Sequence, residues 1–162
     1  MPDSTQLWTR LIFVVLTAIS CSTALQAQDK PAIAATVDAL FDAMREGNGE
    51  GVRAVFAPDA VLERVTSEGK LQRNSVDGFS SIVAGWQPEQ IDERVFEVAI
   101  QQFEDLATMW APFTLKVDGE LKACGVNQIT LGRLDQEWKI IHLADRHYAG
   151  DCNRFIEMIE ND

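Results

Sequence analysis

The chain reads as an α+β domain in which helices pack on a strongly curved antiparallel sheet, and three observations carry that reading. Apolar residues recur three and four apart between Pro31 and Arg45, the mark of an amphipathic helix. Long, mostly apolar, strand-like segments joined by tight turns then fill the stretch from Met109 to Tyr148. Such strands must bury their side chains against a second layer, which the preceding helical segments supply.

Each element has a local reason. Pro31 suits the first turn of a helix, whose stripe is Ile33, Val37, Leu40, Phe41 and Met44, and Gly47-Asn48-Gly49 stops it. A shorter helix over Glu50–Phe56 buries Val52, Val55 and Phe56, and Ala57-Pro58-Asp59 turns the chain. Ala60–Thr66 reads as a strand, with Lys70–Arg73 as its short partner across Ser67-Glu68-Gly69. Asp77–Trp86 reads as a third helix with Phe79, Ile82, Val83 and Trp86 inward, closed by Pro88.

The segment before these elements is of another kind. Arg10 precedes a nine-residue apolar run, Leu11–Ile19, and small residues follow in Thr23-Ala-Leu-Gln-Ala27. This is the pattern of a secretory signal peptide over residues 1–27, too short to span a bilayer at about 20 residues per crossing; an N-terminal anchor helix is the alternative. Ala18-Ile-Ser-Cys21 is a degenerate lipoprotein box, which leaves lipidation at Cys21 as a minor route to a membrane. The expected location is periplasmic or secreted, and residues 28–162 are expected to form one domain.

Asp3 and Arg10 cancel, so the full net charge of −11 falls on that domain. A surface this acidic, with no Lys/Arg cluster, repels a phosphate backbone, so nucleic acid is not an expected partner.

Turn signals register the long strands. Asp118-Gly119 is a two-residue hairpin signal that puts Val117 opposite Glu120 and Phe113 opposite Cys124. Centring the next hairpin on Asp135-Gln136 pairs Leu134 with Glu137 and Cys124 with His147. In that register Phe113, Cys124, Asp145 and His147 share one face, while Trp110, Asn127, Trp138, His142, Arg146 and Tyr148 share the other. Both faces are largely apolar and need cover.

Cys124 and Cys152 make an even count beyond the leader, permissive for one disulfide in an exported protein. A bend at Gly150-Asp151 would bring them together, pinning the C-terminal tail to the sheet; two buried free thiols are the alternative.

No HExxH, glycine-rich phosphate loop, GxSxG or paired CxxC is present, so no metal or cofactor is implied. The odd spacing of His142 and His147 in one strand puts them on opposite faces, which disfavours a shared metal. Asp145 and His147 share a face two residues apart, which makes them the candidate acid/base pair; a solvated rim pair is the alternative.

The order of helices followed by a long curved meander, with Trp110-Ala-Pro-Phe113, Cys124-Gly-Val-Asn127, Trp138-Lys-Ile-Ile-His-Leu143 and Cys152 along it, resembles the NTF2-like (SnoaL-like) superfamily. The nearer resemblance is to its bacterial branch labelled putative lumazine-binding, or DUF4440-like. It implies a cone-shaped apolar pocket between the sheet and the first and third helices. The residues available to line it are Phe41, Phe56, Phe79, Trp86, Trp110, Phe113, Asn127 and Trp138, with His142, Asp145, Arg146 and Tyr148 as polar candidates. It also implies a small apolar or aromatic ligand in a binding or accessory protein, or alternatively a cofactor-independent isomerase, dehydratase or cyclase. A homodimer through the sheets would cover the second apolar face, with the tail from Asn153 to Ile159 as the competing cover.

Overall fold

A computed structural model describes residues 22–161. Most of the leader assigned to residues 1–27, including Cys21 and the apolar run, lies outside the described residues.

Helix α1 (Ser22–Arg45) begins upstream of Pro31, which lies inside it. The run Ala24-Leu25-Gln26-Ala27 consists of strong helix formers, and these extend the helix past the proline that was expected to open it. Ile33, Val37, Leu40, Phe41 and Met44 are all buried, as their spacing requires. Gly47 ends the turn after α1 at φ +67, where a Cβ would lie 2.5 Å from the Trp86 carbonyl oxygen. Helix α2 (Gly49–Val55) is capped by the Asn48 side chain, which accepts from the Gly51 amide at 2.8 Å. The chain then enters strand β1 (Phe56–Val65), which pairs with β2 (Leu71–Ser75), and helix α3 (Val76–Val83) follows.

Strands β3 (Ile91–Val95) and β4 (Ala99–Phe103) occupy a stretch left unassigned by sequence. Both pair along one edge of β5 (Leu106–Val117), and the chain continues through β6 (Glu120–Leu134), on the other edge of β5, to β7 (Glu137–His147). The order is β2-β1-β7-β6-β5-β3, with β4 also on β5. The sheet is mixed rather than wholly antiparallel, because β1 runs parallel to β7.

Two bulges correct the expected register. Val117 faces Glu120 and Lys116 faces Leu121, as the Asp118-Gly119 turn dictates, but Leu115 faces Ala123, so Lys122 is an extra residue in β6. Leu134 faces Glu137 and Leu131 faces Ile140, but Thr130 faces His142, so Ile141 is an extra residue in β7. Beyond each bulge the faces swap. Phe113 and His147 therefore both face Gly125, not Cys124. Asn127 moves to the side of Met109, Phe113, Asp145 and His147, and Trp138 to the same concave side, while Cys124 joins Trp110 on the other.

The concave side is the core. Met109, Ala111, Ile129, Leu131 and Ile140 pack there with α1 and Val52 of α2. At roughly 25 cal/mol for each Å² of apolar surface removed from water, this layer is the main source of stability. On the convex side, helix α4 (Cys152–Glu160) buries Phe155, and a disulfide joins Cys124 to Cys152 with their Cα atoms 5.6 Å apart. The Tyr148 amide donates to the Cys124 carbonyl at 2.7 Å, so β7 stays paired up to the bend.

Candidate functional site

A cavity of about 310 Å³ lies between α1, α3 and the sheet at one end of the core. Leu40, Phe41 and Met44 of α1, Phe79 and Ile82 of α3, and Trp86 form its helical wall. Leu62, Ile91, Leu115 and Leu143 add the apolar part of the sheet wall. Its polar groups converge from β1, β2, β3, β6 and β7: Glu63, Arg64, Gln72, Asn74, Glu93, Asn127, Asp145 and His147. A mostly apolar hollow with a few convergent polar side chains is the form small-molecule sites take.

Strand alternation explains the polar set. Ile91 and Glu93 point inward from β3, and the intervening Asp92 pairs with Arg45 of α1 at 2.9 Å and with Arg94 at 2.6 Å. Asn127 and Asp145 are direct partners across β6 and β7, and Asp145 and Arg64 across β7 and β1. Gly125 lets β7 close up beside His147, since a Cβ there would lie 2.1 Å from the Arg146 carbonyl oxygen. The Phe113 ring meets the His147 imidazole edge-on with centroids 5.5 Å apart.

Two carboxyls in this cavity are shifted in opposite directions. Asp145 is desolvated, which alone would raise its pKa, but hydrogen bonds from His147 and Arg64 hold it below the usual carboxylate range. Arg64 reaches both of its oxygens, and His147 Nε2 lies 3.4 Å from Oδ2. Desolvation pushes the Glu93 carboxyl up to about 7, with a hydrogen bond from Asn127 Nδ2 to Oε1 at 2.7 Å opposing the rise. Such divergence between neighbouring acids is what acid/base chemistry and proton-linked binding both use.

The cavity brings together Phe41, Phe79, Trp86, Asn127, Asp145 and His147 of the residues expected from sequence. Others lie elsewhere. Phe56 is buried at the start of β1, outside the cavity wall, and Trp138, turned to the concave side by the Lys122 bulge, is buried in the core with Arg133 over its ring at 5.7 Å. Phe113 is buried behind His147, and Trp110 stands on the convex face, half exposed. His142 and Arg146 alternate away from His147, His142 pairing with Glu63 at 3.2 Å. Tyr148 has passed the strand end and stacks against Phe155 at 5.4 Å. Among the described residues no group of three or more His, Cys, Asp or Glu side chains is placed to hold a metal ion.

Glu93 and Arg64 join the site without a motif to mark them; the local signal is the alternation Ile91-Asp-Glu-Arg-Val95, which puts Glu93 on the inward face of Ile91.

A family model described as "Putative lumazine-binding" matches residues 28–144. A comparison with curated proteins found none that matches. Among solved structures, a protein of unknown function from Mycobacterium tuberculosis superposes with a TM-score of 0.67 at 16% identity, over 85% of this chain and 81% of that one. An NTF2-like protein with a cystatin-like fold from Novosphingobium aromaticivorans gives 0.64 at 13% identity, over 86% and 97%. A "putative dehydratase" of the NTF2-like family from Streptomyces avermitilis gives 0.63 at 15%, over 77% and 99%. At these identities the likeness is one of fold. The helices on a curved sheet and the family match over most of the chain agree: this chain has the fold of the NTF2-like structures and belongs to the "Putative lumazine-binding" family.

Proposed function

We propose that the protein binds a small, largely apolar or aromatic molecule in the cavity between α1, α3 and the sheet. The observation that carries this is the lining: Phe41, Phe79 and Trp86 on one side and the converging polar set of Glu93, Asn127, Asp145 and His147 on the other. The name of the family makes lumazine the first ligand to try, beside 2-naphthol and indole. The test is quenching of tryptophan fluorescence, with a Leu143→Trp variant that fills the cavity as control. Saturable quenching in the wild type that the variant loses is expected; no saturation with any of the three removes the reading.

One observation favours a second reading, in which the cavity catalyses a cofactor-independent proton transfer of the isomerase, dehydratase or cyclase kind. Asp145 and His147 both face into the cavity, 3.4 Å apart. The check is deuterium incorporation beside the carbonyl of 1-tetralone in heavy water. A rate no faster than heat-denatured protein removes this reading and leaves binding intact.

The same proposal makes the protein exported, with the leader removed near Ala27, and homodimeric. The Cys124–Cys152 disulfide supports an oxidising compartment. No helix among the described residues is long and apolar enough to cross a membrane. Exposed Phe103, Leu106 and Trp110 on the convex side of β4 and β5 support a second copy, because α4 covers only the part of that face around Cys124. Sedimentation equilibrium at micromolar protein decides: a mass near that of one chain removes the dimer.

A further inference from the structure

We infer that the cavity selects a cationic ligand, an apolar or aromatic amine whose ammonium group is received by the Glu93 carboxylate while its body rests against Trp86, Phe79 and Phe41. This rests on the reading of the cavity as a small-molecule site and names the chemical class that site takes.

The charges on the cavity wall leave one position open. Asp145 is matched by the forked Arg64 and by His147. Glu63 is matched by Arg73 at 2.6 Å and by His142 at 3.2 Å. Glu93 has no cationic group within 4 Å among the described residues. Its one hydrogen bond there comes from the neutral Asn127, onto Oε1, which leaves Oε2 free to receive a donor from the cavity. Asn127 is itself buried, so Glu93 is held in place by a fixed partner.

The charged or titratable groups around Glu93 are Asp145 and His147 on β7 and Arg64 on β1; α1 and α3 present only apolar side chains to the cavity. Arg64 cannot serve as its counter-ion without releasing Asp145. A carboxyl without a cation in a largely apolar wall is costly to ionise, and an incoming ammonium removes that cost with a charge-assisted hydrogen bond. Aromatic faces add attraction for the same charge and none for an anion. The net charge of −11 draws cations toward the protein at longer range.

Because Glu93 is partly protonated near neutral pH, seating a cation there displaces a proton into solvent. The reaction balances as protonated Glu93 plus ammonium ligand giving the ion pair plus one free proton.

The test compares three indoles of similar size by titration calorimetry at pH 7: tryptamine as the cation, 3-ethylindole as the neutral form and indole-3-propionate as the anion. Tryptamine is expected to bind about tenfold or more tighter than 3-ethylindole, with the anion weakest. Repeating the titration in buffers of different ionisation enthalpy is expected to show proton release with tryptamine and none with 3-ethylindole. Glu93→Gln, which keeps an acceptor for Asn127, is expected to abolish both the preference and the proton release while still binding 3-ethylindole. Equal affinity for tryptamine and 3-ethylindole, or a preference that survives Glu93→Gln, overturns the inference and leaves the cavity site standing. Failure of all three to bind overturns both.

Discussion

Arg64 and Asp145 face each other across the parallel pairing of β1 and β7, and the guanidinium grips both carboxylate oxygens: Nε lies 2.8 and 2.9 Å from Oδ1 and Oδ2, and Nη2 2.5 Å from Oδ2. This fork holds the first strand to the last at the mouth of the cavity. It also fixes Asp145 against His147. Asp145→Asn is expected to destabilise the fold by about 1–3 kcal/mol at pH 7, since a charged, two-pronged contact is lost from a mostly buried group. The sign with pH follows from its lowered pKa: the stabilisation is present above the unfolded carboxylate value and fades as pH falls through the folded one. Urea melts of wild type and variant should therefore converge toward pH 2; a gap that stays constant between pH 2 and 7 would assign the effect to packing alone.

Glu93 has the opposite sign. Its folded pKa, about 7, lies above its ordinary value near 4.5, so the folded state holds a proton that the unfolded chain gives up. Stability contributed by this group is full below the ordinary value and is lost as pH rises through 7, by about 3 kcal/mol. Glu93→Gln is expected to match wild type near pH 4.5 and to exceed it in urea melts at pH 8.5. A variant less stable than wild type at pH 8.5 would show that the carboxylate is well solvated.

Trp138 is 7% exposed and seated in the core, with the Thr36 hydroxyl against its carbonyl at 3.4 Å and Arg133 over its ring. Trp138→Ala is expected to cost about 3–5 kcal/mol, the range for removing a buried large aromatic. A loss below about 0.5 kcal/mol in denaturant melts would place this ring outside the core.

The disulfide closes a 28-residue separation between β6 and α4. Replacing both cysteines by serine is expected to cost about 3–4 kcal/mol, mostly by freeing the unfolded chain. Amide exchange should then show α4 opening before the rest of the sheet. Equal stability with and without the bridge would mean that Phe155, packed against Phe96 and Tyr148, holds the tail by itself.

How much of this was legible in the sequence depended on where the physical signal was local. The α1 stripe and the Asp118-Gly119 turn are local patterns, and both place their residues correctly near the turn and along the helix. The bulges at Lys122 and Ile141 leave no mark in residue type, yet each turns every later side chain to the other face. That is why Asn127 and Trp138 were placed with Trp110. Strand β3 escaped because Asp92, Glu93 and Arg94 interrupt its apolar ends, and the turns at Glu97 and Glu104 take positive φ without glycine or asparagine to announce them. The alternation in Ile91-Asp-Glu-Arg-Val95 puts Glu93 on the face of Ile91, but its meeting with Arg64, Asn127 and Asp145 depends on pairing across strands distant in sequence, which periodicity does not reveal. The Asp145–His147 pair was legible because both ends of it sit on one strand.

The central claim is that the cavity is a binding site, and methyl-detected NMR tests it most directly. With isoleucine and leucine methyl groups labelled, titration with 3-ethylindole or tryptamine is expected to shift Leu62, Ile82, Ile91, Leu115 and Leu143, which line the cavity, and to leave Leu134, beside the hairpin turn at the opposite end of the sheet, unmoved. Saturating shifts confined to Leu106 and the exposed convex side, or no shifts at millimolar ligand, would contradict it.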